Sequence, residues 1–132
     1  FKKVITVDNS PDKLNYAVDY LKNYDNIEFK LMDVYRDKWQ FNENADVVFI
    51  DCVHTYQHLR SDIENSLNTF NKPIIFFDDY GLFPDLKKLI DEYIEAGRLK
   101  VLQKIGQHSG KIYPKTQYKI LKDREGIICQ GV

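Results

Sequence analysis

The sequence lacks the features that identify disulfide-rich, zinc-binding, membrane-spanning and secreted proteins. Its two cysteines, Cys52 and Cys129, are too few for a disulfide framework and lack the spacing of a zinc site. No apolar run approaches the roughly 18 residues of a membrane-spanning helix, and no signal peptide is visible. The net charge is −1, so neither a nucleic-acid nor a membrane partner is expected. We therefore expect a cytoplasmic protein.

The remaining pattern alternates between strands and helices. The chain has 132 residues, 43% of them hydrophobic, which suits one domain over residues 1–132. Ser10 and Pro11 are expected to cap and begin the first helix, and Gly97 to end the last one. The predicted strands are KVITVD, NIEFKLMD, VVFI, KPIIFFDDYG, LKVLQKI, TQYKILK and GIICQ.

This order predicts an α/β sheet that is mostly parallel, with an antiparallel hairpin at its C-terminal end. In such sheets, ligands bind beyond the carboxyl ends of the parallel strands. Carboxylates that gather there repel one another unless hydroxyls, amides or cations offset their charge. The predicted strand ends therefore indicate a binding site. They carry Asp8, Asp33, Asp51, Asp78 and Asp79.

The segments VITVDNSPDKLNYA, NIEFKLMD, DVVFIDCVHTYQHLRSDIENSL and KPIIFFDDY resemble, in this order, class I S-adenosylmethionine-dependent methyltransferases. They resemble in particular the branch of sugar and macrolide O-methyltransferases, whose fourth strand typically reads like FIDGDHSYE. The resemblance runs from the family's second strand to its seventh. It implies a Rossmann-like fold without the family's first strand, S-adenosylmethionine as cofactor, and O-methyl transfer to a small-molecule hydroxyl.

The resemblance also implies roles for individual residues. Asp8 is expected to bind the cofactor ribose, Asp33 and Val34 to contact the adenine, and Asp51 to lie on the cofactor side of the site. Asp51 is further expected to bind a divalent metal with Asp78 and Asp79. Oxygen ligands of this kind suit Mg²⁺, which would bind the acceptor hydroxyl and lower its pKa.

Two departures from the family qualify these expectations. All six glycines lie at or after Gly81, so the family's glycine-rich cofactor loop is absent and the chain is expected to be a fragment. We then expect a homo-oligomer, another chain or a different strand pairing to replace the missing strand. Val53 stands where some relatives carry an acidic base. His54, with Asp51, is therefore the catalytic candidate, because imidazole accepts protons near neutral pH.

Other interpretations of the same residues stay open. Asp8 and Asp33 can serve as turn residues, and His54 can serve as a structural hydrogen-bond partner. The whole chain can be a degenerate methyltransferase-like domain, acting as a non-catalytic binding or oligomerisation module. VFIDCVHT also resembles the nucleophile strand of haloacid-dehalogenase phosphatases. Val53, however, replaces the second Asp that such enzymes need.

Overall fold

Strands and helices alternate over much of the chain, as the sequence predicts. The computed structural model describes residues 1–51, 53–108, 110 and 123–132, which divide into two compact units, Phe1–Trp39 and Gln40–Val132. The predicted strand TQYKILK lies outside the described residues. The first unit contains β1 (Val4–Asp8), α1 (Pro11–Leu21) and β2 (Ile27–Leu31). The second contains β3 (Val47–Ile50), α2 (Tyr56–Thr69), β4 (Ile74–Phe77), α3 (Pro84–Glu95), β5 (Leu99–His108) and β6 (Arg124–Gly131).

The first unit is a β–α–β arrangement whose two strands pair in parallel. Val4 lies opposite Ile27 at one end of the pair, and Asp8 lies opposite Leu31 at the other. The predicted cap of α1 is confirmed, because the Ser10 side chain accepts from the Lys13 N–H and Pro11 takes the first helical position. The carboxyl ends of β1 and β2 therefore lie at the same end of this sheet.

The second unit is a four-stranded sheet in the order β3-β4-β6-β5. β3 and β4 are parallel, whereas β6 runs antiparallel to both β4 and β5. This confirms the predicted α/β class with an antiparallel C-terminal part. One buried cluster joins the sheet to α2 and α3. Its members are Ile50, Leu59, Ile63, Ile75, Phe77, Tyr80, Leu86, Leu89, Ile90, Tyr93, Leu99, Ile127 and Cys129.

A glycine allows β6 to lie close to the end of β4. A Cβ atom on Gly126 would lie 2.9 Å from the Phe77 carbonyl oxygen and 3.1 Å from that of Asp78. Real Cβ atoms rarely come this close to backbone oxygen, so a larger residue would force the two strands apart. The first residues of β6 consequently lie beside the carboxyl end of β4.

The helix ends follow the predicted chemistry. Gly97 has a φ of 71° just after α3, a conformation that glycine adopts without steric cost. The Gly97 N–H donates to the Ile94 carbonyl, and the Arg98 N–H donates to the Tyr93 carbonyl, both at 3.0 Å. Among the described helices, none has both the length and the apolar character required to cross a bilayer.

Candidate active site

Asp8 takes part in the turn between β1 and α1. Its Oδ1 accepts a hydrogen bond from the Ser10 backbone N–H at 2.7 Å, and its carbonyl accepts one from the Met32 N–H at 3.0 Å. This is the turn role that the sequence left open, and it engages one of the two carboxylate oxygens. Ribose binding by Asp8 stays a prediction.

Asp33 and Val34 form the turn that follows β2. Asp33 Oδ1 accepts from the Tyr35 N–H at 3.0 Å, while the Asp33 N–H donates to Asp37 Oδ2 at 2.8 Å. The Val34 carbonyl accepts from the Trp39 indole N–H at 2.9 Å. These bonds define the turn at the carboxyl end of the first unit's sheet. Contact with an adenine ring stays a prediction for both residues.

The second unit gathers the other predicted residues at the carboxyl ends of β3 and β4. Ile50 and Phe77 lie opposite each other as the last residues of the two strands. Asp51 follows Ile50, and Asp78 and Asp79 follow Phe77. Parallel pairing therefore brings these carboxylates to one edge of the sheet, as the sequence predicts.

His54 contacts two of these carboxylates. Its Nε2 lies 2.6 Å from Asp79 Oδ2 and 3.7 Å from Asp51 Oδ1. The Asp79 side chain is 14% exposed, whereas that of Asp51 is 54% exposed. Because water screens a buried contact less than an exposed one, the His54–Asp79 contact is the stronger of the two.

The surroundings of His54 restrict its imidazole ring. The ring stacks on Phe83, with centroids 4.5 Å apart and planes inclined by 20°. Thr55 caps α2 directly after it, accepting from the His58 N–H through Oγ1 at 3.4 Å. A neutral His54 that donates its Nε2–H to Asp79 retains the lone pair on Nδ1. Such an imidazole can accept a proton through Nδ1.

The two carboxyls after β4 are harder to ionise than ordinary ones. Burial raises the pKa of Asp78, and the negative charges of Asp51 and Glu125 raise it further. Burial also raises the pKa of Asp79; His54 opposes this shift without reversing it. Burial of these carboxylates and the negative charges around them therefore make the folded state less stable at neutral pH than uncharged side chains would.

The structure predicts that Asp78→Asn stabilises the protein at neutral pH. The gain should be about 0.5–1 kcal/mol, because the partly exposed charge is screened by solvent. It should shrink as the pH falls through the raised pKa of Asp78, since protonation then removes the same charge from the wild type. Urea unfolding in a chelator, at pH 7 and near pH 3, measures both values.

A matched control is available on the next helix. Asp85 lies in the first turn of α3, where a negative charge interacts favourably with the helix dipole. Asp85→Asn should therefore lower the free energy of unfolding at pH 7, opposite to Asp78→Asn. Destabilisation by both variants would show that crowding of like charge is not the dominant effect at Asp78.

Two acidic residues of this region were not predicted from the sequence. Glu125, near the start of β6, is close enough to raise the pKa of both Asp78 and Asp79. Asp62, on α2, is 2% exposed and lines a small cavity together with Asp51 and other site residues. An antiparallel strand begins at the edge of the sheet where the neighbouring parallel strands end. Because GIICQ was predicted to be antiparallel, the position of Glu125 near that edge could have been predicted from the sequence.

The structure brings together two of the three predicted metal ligands. Asp51, His54 and Asp79 each offer a ligand atom, and these atoms lie within 4.8 Å of one another. Two bonds of 2.3–2.6 Å span roughly 5 Å, so this set fits one cation. Asp78 is not part of the set. Asp78 and Asp79 both lie in the turn that follows β4, and it is Asp79 that contacts His54.

The described fold is similar to solved methyltransferase structures. N-methyltransferase NodS from Bradyrhizobium japonicum WM9 aligns with 98% of this chain and 72% of its own, with 12% identity and a TM-score of 0.64. Its complex with S-adenosyl-L-homocysteine aligns with 98% and 66%, with 11% identity and a TM-score of 0.62. The chain has a Rossmann-like methyltransferase fold.

Methyltransferases of other kinds are similar as well. An rRNA methylase from Streptococcus thermophilus aligns with 98% of this chain and 73% of its own, with 14% identity and a TM-score of 0.60. Precorrin-6y C5,15-methyltransferase from Geobacter metallireducens GS-15 aligns with 98% and 68%, with 16% identity and a TM-score of 0.59. No protein-family model matches the sequence, and no curated protein matches it significantly. At such low identity the similarity establishes the fold alone.

Proposed function

We propose that this chain belongs to an S-adenosylmethionine-dependent methyltransferase that transfers a methyl group to the hydroxyl of a small molecule. The observation that carries the proposal is the 2.6 Å contact between His54 Nε2 and Asp79 Oδ2, at the carboxyl edge of a methyltransferase-type sheet. A histidine held by a carboxylate is a common general base. The edge where it lies is the usual ligand-binding edge of such sheets.

The proposed chemistry assigns the proton to His54. S-adenosylmethionine, when bound, supplies an electrophilic methyl group on a sulfonium. In that reaction the acceptor oxygen would take the methyl group from the sulfonium, which would leave as a thioether, and His54 Nδ1 would take the hydroxyl proton. Asp79 keeps the Nε2–H oriented and stabilises the imidazolium that forms. On the cofactor side, the proposal gives Asp8, Asp33, Val34 and Asp51 the binding roles that the resemblance implies.

A divalent cation is a second element of the proposal. Asp51 and Asp79 would provide two oxygen ligands, with either Asp78 or His54 as the third. Two carboxylates with a third carboxylate suit Mg²⁺, whereas an imidazole ligand favours Mn²⁺ or Zn²⁺. His54 cannot bind a metal through Nε2 and also donate the Nε2–H to Asp79. The cation and the histidine base are therefore competing assignments for His54.

The acceptor class follows from charge. The net charge of −1 gives no excess of cations to neutralise phosphates, on which nucleic-acid affinity largely depends. We therefore propose a small molecule rather than RNA, although an rRNA methylase shares the fold. The alternative is a non-catalytic binding or oligomerisation module.

Binding of S-adenosylhomocysteine separates the two candidates. The enzyme should bind it measurably by calorimetry, and at 100 times the Kd the ligand should stabilise the fold by about 2.7 kcal/mol. Adenosine 2′-monophosphate serves as a control nucleotide, because Asp8 should repel a phosphate carried on the ribose hydroxyls that it is proposed to bind. Arms with Mg²⁺, Mn²⁺ and a chelator test the cation. A folded protein that binds neither S-adenosylmethionine nor S-adenosylhomocysteine would support the non-catalytic module instead.

A further inference from the structure

One loop supplies two of the groups that contact the His54 ring. This loop, the acidic loop, spans residues 78–83 between β4 and α3. Asp79 contacts His54 Nε2 at 2.6 Å, and Phe83, at the other end of the loop, stacks on the imidazole at 4.5 Å. The orientation of His54 therefore depends on how the acidic loop is held.

The acidic loop is anchored to α3 through Tyr80. Tyr80 is 2% exposed; its hydroxyl donates to Asp91 Oδ1 and accepts from Lys87 Nζ, both at 2.7 Å. Lys87 Nζ also lies 2.6 Å from Asp91 Oδ2 and 4.5 Å from the Tyr80 ring centroid. Burial raises the pKa of Tyr80 to about 12, so the phenol stays protonated and can donate.

The loop has a second connection, to β6. The Gly81 N–H donates to the Glu125 carbonyl at 2.9 Å, and the Leu82 N–H donates to the Asp79 carbonyl at 3.1 Å. These bonds hold the backbone of the loop, while the Tyr80 side chain is buried in the core and Phe83 packs against the same core. Tyr80 directly follows Asp79, so a shift of the Tyr80 backbone also moves the peptide group that it shares with Asp79.

We propose that Tyr80, Lys87 and Asp91 are positioning residues, which hold the acidic loop so that Asp79 and Phe83 orient His54. The inference rests on the proposed function, in which His54 accepts the proton. Hydrogen bonds to charged partners are stronger than neutral ones. A buried phenol bonded to both an ammonium and a carboxylate therefore fixes the loop more firmly than packing alone.

The test is Tyr80→Phe, observed by NMR of the His54 imidazole in the ligand-free protein. The sequence has three histidines, and a His54→Gln spectrum assigns the relevant signals. In the wild type, the stacked Phe83 ring should shift the His54 ring C–H resonances, and the hydrogen bond to Asp79 should protect the Nε2–H from exchange. In Tyr80→Phe, the C–H resonances should move toward random-coil positions, and Nε2–H exchange should accelerate by about tenfold or more.

Tyr93→Phe is a closely matched control. Tyr93 is 7% exposed, its hydroxyl bonds to Glu64, and Arg98 pairs with that carboxylate and lies 5.2 Å from the Tyr93 ring centroid. Tyr93→Phe therefore removes a similar hydroxyl from a similar charged network without altering the acidic loop. It should leave the His54 signals unchanged.

Unchanged His54 signals in a folded Tyr80→Phe, or equal changes in both tyrosine variants, would overturn the inference. If Tyr80→Phe does not fold, the same NMR measurement is made on Lys87→Met. This variant removes the ammonium at a partly exposed position and keeps the phenol. The readout needs neither cofactor nor acceptor. Failure of S-adenosylhomocysteine binding would therefore refute the proposed function alone, and an undisturbed imidazole would refute the positioning role alone.

Discussion

Replacing His54 with glutamine is expected to slow methyl transfer by about 10²–10⁴-fold, the usual contribution of a general base. The glutamine side chain fills similar space but cannot accept the proton of the acceptor hydroxyl. The loss should fall on kcat more than on the KM of the acceptor, because proton transfer belongs to the transition state. Transfer of a tritiated methyl group from S-adenosylmethionine to a panel of phenols and sugars measures it.

His58→Gln is the control for this experiment. His58 is four residues further along and bonds to Thr55 through Nδ1 at 2.7 Å, away from the proposed proton path. It should retain near wild-type turnover. Asp79→Asn should slow the reaction as His54→Gln does, since it removes the carboxylate that orients the imidazole. A fully active His54→Gln would exclude His54 as the base and leave the metal assignment to explain activation of the hydroxyl.

Replacing Asp8 with alanine is expected to weaken S-adenosylhomocysteine binding by about 1.5–3 kcal/mol, the range for hydrogen bonds to a charged group. That corresponds to roughly 10–150-fold in Kd. The physical reason is that a carboxylate accepts hydrogen bonds from both vicinal ribose hydroxyls. Calorimetry of the folded variant gives the value directly.

The structure supplies a sharper variant at this position. Because Asp8 Oδ1 accepts from the Ser10 N–H, alanine also removes a turn bond, whereas asparagine can keep it. Asp8→Asn should therefore lose ribose binding with less effect on stability. Asp19 is an exposed carboxylate on α1, and Asp19→Asn should change neither the affinity for S-adenosylhomocysteine nor the stability. Equal affinity in the wild type and both Asp8 variants would limit Asp8 to its turn role.

Local pattern was sufficient for most of the fold. Apolar runs ending at Asp8, Asp51 and Asp78 predicted parallel strands, and Ser10 with Pro11 predicted the start of α1. These signals are short-range: side-chain periodicity, capping and proline geometry all act within a few residues. The separate clustering of residues 1–39 and 40–132 was not visible in the sequence, because no change of composition marks it.

The sequence by itself determined that Asp51, Asp78 and Asp79 meet at one edge, because parallel strands align their carboxyl ends. It also marked His54 as the nearby group able to accept a proton. Only the tertiary structure decided which carboxylate His54 contacts, and that Phe83, Tyr80 and Glu125 surround the same place. The orientation of a side chain depends on contacts from distant segments, here α3 and β6. The spacing of residues along the sequence does not reveal these contacts.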